Sequence, residues 1–137
     1  MANPTPLRAR DLQARLNAGE PLQLVDVREA MELQLAAMAE PVLHLPLSGS
    51  EDWIQRIDAL LDRDRDVVVL CHAGIRSWQF GCWLMEVHGF ERVWNLHGGI
   101  DAWSVEALLI WLTLHFPHNG LPLVHMVTIN FITTNDR

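Results

Sequence analysis

Residues 66–70 (DVVVL) constrain this chain more than any other stretch. A continuous β-branched run without polar alternation predicts a strand covered on both faces, as in the centre of a parallel sheet. It runs straight into Cys71-His72-Ala73-Gly74-Ile75-Arg76-Ser77. A helix is expected from about Ser77 to His88, with Phe80, Leu84 and Val87 facing inward and Gly89 ending it. A central strand, a six-residue loop and a helix thus form one unit around a cysteine.

The other elements follow the same alternation. Thr5-Pro6 reads as the cap and first turn of a helix that carries Leu12 and Leu16 and stops at Gly19. Residues 22–27 and 42–45 read as short strands, the second stopped by Pro46. Between them, residues 28–39 favour helix, with Met31, Leu35 and Met38 on one packing face. Ser50 opens a helix carrying Trp53, Ile57 and Leu61. Residues 93–96 form a strand, and Gly98-Gly99 turn into a short helix over residues 100–106. Strands that alternate with helices predict an α/β fold, a parallel sheet with helices on both faces.

Charge divides the chain. Of ten basic and 17 acidic residues, only Asp136 and Arg137 lie beyond residue 106. Residues 1–106 therefore read as the domain, and residues 107–137 as an atypical apolar C-terminal extension. Its apolar runs are interrupted by Pro117, Asn119, Gly120 and Pro122, and neither approaches the roughly 20 residues of a membrane span. The net charge is −7 and lysine is absent, which argues against a nucleic-acid or anionic-membrane surface. Two cysteines, Cys71 and Cys82, make neither a disulfide framework nor a metal-ligand pattern. No metal or cofactor is expected. A lone reactive thiol and an N-terminus without signal-peptide character predict a cytoplasmic protein.

The loop is the candidate site. A loop curled between a strand end and a helix N-terminus aims backbone N–H groups inward and favours an anion at its centre. The same field favours thiolate at Cys71. Gly74 permits a positive φ, Arg76 adds a fixed positive charge, and Ser77 can cap the following helix. His72, Ala73 and Ile75 complete the loop.

These seven residues resemble the active-site loop of single-domain rhodaneses. Leu24-Val25-Asp26-Val27-Arg28-Glu29 resembles the strand end that precedes it in that family, and Gly89-Phe90, Val93-Trp94-Asn95-Leu96 and Gly98-Gly99-Ile100-Asp101-Ala102-Trp103 resemble its closing motif. The match spans about residues 5–106. It implies a five-stranded parallel sheet flanked by helices on both faces, and transfer of a sulfane sulfur through a Cys71 persulfide. The implied donor is a small molecule such as thiosulfate or another persulfide; the implied acceptor is cyanide or a cellular thiol, with a protein acceptor also open. Four residues between Cys71 and Arg76 match the sulfurtransferase loop. The related phosphatases have one residue more, so a phosphatase or arsenate-handling enzyme is the weaker alternative. A non-catalytic rhodanese-like binding module is another. The family's "G-H-I-x-G-A" segment is replaced here by Ala36-Ala37-Met38-Ala39-Glu40-Pro41.

Other residues carry plainer expectations. Asp26 and Arg28 are expected to support the site or to form a structural ion pair. Cys82 reads as a core or half-buried residue, His72 and His97 as surface histidines, and Trp78 as a packing residue near the mouth.

Overall fold

The computed structural model describes residues 2–116, together with the backbone of Ile132–Thr133. Its centre is β5 (Val67–Leu70), whose four side chains are all shielded from water. β2 (Gln23–Asp26) pairs with it on one side and β6 (Val93–Leu96) on the other, both parallel. β4 (Leu43–His44) and β1 (Thr5–Leu7) close the edges, in the order β1-β6-β5-β2-β4. The five-stranded parallel sheet is the one expected.

Alternate residues of the central strands feed two cores. Val25, Val67 and Val69 pack with Trp53, Ile57, Phe80 and Leu84 on one face; Leu24, Val68 and Leu70 pack with Leu12, Leu96, Ile100 and Trp103 on the other. Each fully buried aliphatic side chain contributes about 1.5–3 kcal/mol. That double coverage explains why the central strand reads as an unbroken apolar run.

The helices are α1 (Ala9–Asn17), α2 (Ala30–Leu35), the short α3 (Ser50–Trp53) and α4 (Ile57–Leu60), α5 (Ile75–His88) and α6 (Gly99–His115). Five local expectations need correction. Thr5-Pro6 does not begin a helix: Thr5–Leu7 forms the edge strand β1 beside Trp94, Asn95 and Leu96. An edge tolerates Pro6, which has no N–H to give, and α1 starts only at Ala9. The helix expected over residues 28–39 stops at Leu35. Ala37 and Met38 form β3, which pairs antiparallel with β7 (Ile132–Thr133). Only Met38 of the expected packing face is buried; Met31 and Leu35 are exposed, and α2 meets Arg76 at the start of α5 through Glu32. On α5, Phe80 and Leu84 face inward but Val87 is exposed. Finally, α6 does not end near Glu106. It continues to His115 and buries Ala107 and Leu112, so the charge-poor extension begins in mid-helix. Among the described residues, no helix is long and apolar enough to cross a membrane.

Candidate active site

Cys71 follows β5 directly and is only 1% exposed. The loop is tighter than expected, since α5 begins at Ile75 and not at Ser77. Gly74 occupies the cap position with φ +100°, a conformation that a side chain resists. Ser77 is therefore not a helix cap. It lies fully buried in the first turn, where its hydroxyl sits 3.2 Å from Cys71 Sγ. The Gly74 N–H donates to the same sulfur at 3.1 Å.

These contacts settle the electrostatics. Burial pushes the Cys71 thiol up, but the Ser77 hydroxyl and the N–H groups of Ser77, Gly74 and Ala73 outweigh it and hold the thiol below its ordinary value. Cys82 differs. Burial, and then Glu86, push its thiol up, and its sulfur sits 3.7 Å from Asn3 Oδ1 on the outer side of α5.

The carbonyls of the loop are held from outside. Ile100 N–H donates to Cys71 O at 2.9 Å, and Asp101 N–H to His72 O at 3.3 Å. The first turn of α6 thus finds its missing acceptors in the loop. Asn95 of β6 donates from Nδ2 to Gly74 O at 2.9 Å. The His72 carbonyl, drawn towards α6, leaves the Ala73 N–H of the same trans peptide pointing the other way, towards the sulfur.

Arg76 does not project freely. Glu32 of α2 holds it through two bonds, of 2.8 and 2.7 Å. The Arg76 guanidinium, chiefly, holds the Glu32 carboxyl down at about 2. Glu32 also accepts the N–H of Glu29, and Glu29 in turn binds Ser48 through its backbone N–H and hydroxyl. A chain of contacts therefore braces the rim. Because the folded-state value of Glu32 lies below its ordinary 4.5, its stabilisation is full above that pH and is lost as pH falls towards 2. Glu32→Gln should remove this acid dependence and lower stability at neutral pH by on the order of 1 kcal/mol, the range of a partly exposed pair. Urea unfolding across that window would show it, and an unchanged acid limb would contradict it.

Asp26 and Arg28 pair with each other, as the sequence allowed, and both are almost wholly buried. Arg28 donates from Nε and Nη2 at 2.8–3.2 Å, and its backbone N–H reaches Asp26 Oδ1 at 3.0 Å. Their pair lies one strand away from the thiol, without a direct bond to it. His72 is exposed beside Asp101 at 3.1 Å. Ala73 and Ile75 are also exposed, His97 lies at the surface, and Trp78 is 41% exposed.

Sequence reasoning missed Glu32 and Asn95, and also the close approach of Gly99 to the Cys71 and His72 carbonyls. Asn95 left one usable trace, a polar residue between apolar neighbours in a buried strand. Glu32 left none beyond its spacing from Glu29.

The Rhodanese-like domain profile matches residues 8–106. The chain belongs to the rhodanese-like domain family. It is 36% identical over 106 residues to a sulfurtransferase of Allochromatium vinosum, covering 74% of this chain and 90% of that one. It is 32% identical over 95 residues to the putative sulfurtransferase YtwF of Bacillus subtilis, covering 69% and 85%. An Arabidopsis thaliana rhodanese-like/PpiC domain-containing chloroplastic protein is 38% identical over 84 residues, but the chain spans only 27% of its length. Among solved structures, the Alr3790 protein of Anabaena superposes with a TM-score of 0.60 at 30% identity, covering 73% of this chain and 75% of that one.

Proposed function

We propose that this protein is a sulfurtransferase in which Cys71 carries a sulfane sulfur. The supporting observation is the ring of donors around one buried sulfur: the Gly74 N–H, the Ser77 hydroxyl and the N–H groups that hold the thiol down. In the first step the Cys71 thiolate attacks the outer sulfur of a donor such as thiosulfate, and sulfite leaves with the electron pair of the broken S–S bond. The terminal sulfur of the resulting persulfide carries the negative charge, which the loop N–H groups stabilise. In the second step cyanide or a cellular thiol attacks that sulfur, and Cys71 departs as the thiolate. Ser77 and Gly74 face the sulfur on which the charge then reappears. Arg76, locked to Glu32, shapes the loop and supplies a nearby positive field.

Four residues between Cys71 and Arg76, and a Cys71 exposed by only 1%, suit a slim sulfur donor better than a phosphate monoester. Relatives named as sulfurtransferases support the same reading. A thiol of this kind is kept free in a reducing compartment such as the cytoplasm.

Mass spectrometry after incubation with thiosulfate tests the first step. The native chain is expected to gain one sulfur atom at Cys71, and Cys71→Ser to gain none. A native protein that stays unmodified with thiosulfate and with persulfide donors would remove the enzyme reading and favour a binding module.

We assign the reaction to residues 1–106 and regard residues 107–137 as an extension outside it. Deletion after Glu106 is expected to leave persulfide formation intact per folded molecule. It should still cost about 2–4 kcal/mol, because Ala107 and Leu112 lose their burial. A folded deletion protein that forms no persulfide would contradict the assignment.

A further inference from the structure

Asn95 reaches the thiol through one intermediary. Asn95 is only 7% exposed, and both ends of its side chain are engaged. Nδ2 donates to Gly74 O at 2.9 Å, and this fixes which way the amide faces. Oδ1 must then accept, and what lies 2.6 Å away is the Ser77 hydroxyl. The same hydroxyl oxygen lies 3.2 Å from Cys71 Sγ.

A serine hydroxyl has one proton and here meets two acceptors. With Cys71 as a thiol, every group is satisfied: S–H donates to Ser77 Oγ, and the hydroxyl donates to Asn95. With Cys71 as a thiolate, the thiol proton has left to solvent, and sulfur and amide compete for one hydrogen. If the hydroxyl turns to sulfur, a buried amide oxygen loses its donor at 2.6 Å.

We propose that Asn95 is a positioning residue that limits the ionisation of Cys71 by competing with the sulfur for the Ser77 proton. The inference deepens the sulfur-transfer reading, because the hydroxyl is needed at Sγ only while that atom bears charge. In the persulfide the charge sits on the terminal sulfur, and the hydroxyl returns to Asn95. When the acceptor removes that sulfur, the hydroxyl turns back towards the departing thiolate. Asn95 thereby sets how readily one proton follows the charge.

The other groups facing the sulfur are the N–H donors of Ala73, Gly74 and Ser77, with Arg76 farther away. The pairs Arg76–Glu32, Arg28–Asp26 and His72–Asp101 surround them. The Asn95 variants change none of these groups, and Ser77→Ala keeps the backbone N–H.

The test is the pH profile of iodoacetamide alkylation at Cys71, in full-length protein carrying Cys82→Ser. Asn95→Leu keeps roughly the amide's shape and frees the hydroxyl, while losing the Nδ2 bond to Gly74 O that Asn95→Asp also lacks. Its profile should move to lower pH, with alkylation near neutrality about three- to tenfold faster, as expected for one neutral hydrogen bond gained by the thiolate. Asn95→Asp keeps an acceptor and adds charge, so its profile should move to higher pH. Once Ser77 is replaced by alanine, Asn95→Leu should change the profile little. Shifts of Leu and Asp in the same direction, or a Leu shift that survives Ser77→Ala, would overturn the proposal. So would folded variants whose profiles match the parent. Alkylation needs no sulfur donor, so these outcomes are independent of whether thiosulfate loads Cys71.

Discussion

Arg28→Met should lower the unfolding free energy by about 3–5 kcal/mol, the cost of leaving a buried charge without its partner. Arg28 is 2% exposed and Asp26 is 1% exposed, so water can replace neither. Asp26 accepts from Nε, Nη2 and the backbone N–H of Arg28, and Asp26→Leu should be comparably damaging. The double variant is the informative one. With both charges gone, the loss should be smaller than that of the worse single variant, although the Arg28 N–H is still left without its acceptor. Denaturant titration of the three variants measures this. Additive losses would show that the two side chains act separately. Per folded molecule, persulfide formation should persist, because the pair makes no bond to Cys71.

Gly99→Ala should damage stability and chemistry together. Gly99 has φ +60°, and a Cβ there would overlap the backbone oxygens of Cys71 and His72. Neither oxygen can yield without moving the cradle, because each is also tied to the first turn of α6. Strain and overlap together should cost about 3–4 kcal/mol. Sulfur loading per folded molecule should fall by about two orders of magnitude, as follows from displacing a positioned loop by roughly 1 Å. Gly19→Ala supplies the control. Gly19 has φ +75° but nothing within 4 Å of the added carbon, so only the backbone strain of about 1–2 kcal/mol applies, and loading should be normal. Equal behaviour of the two variants would remove the role given to Gly99.

What the sequence revealed depended on how far each cause reached along the chain. The β5–loop–α5 unit was legible because its determinants are neighbours: an apolar strand, a glycine, an arginine and a buried helix face. The edge strand β1 was not, because its partner Trp94 is far along the chain, and local cap chemistry at Thr5-Pro6 pointed to a helix. Glu32 was hidden for the same reason. It meets Arg76 across 44 positions, on a helix whose Met31 and Leu35 stay exposed. Ser77 was noticed but given the wrong task. Its spacing from the loop suits a cap, and only the proximity of sulfur and Asn95 shows otherwise.

The anchoring of loop carbonyls by α6 and by Asn95 separates two duties that many sites combine. The donors around Cys71 are the Ser77 hydroxyl and peptide N–H groups, and none of them comes from the side chains of His72, Ala73 or Ile75. Those three residues are exposed on the loop. On the proposed reading, variation at these positions would alter the surface that meets a sulfur donor while the groups around Cys71 stay in place.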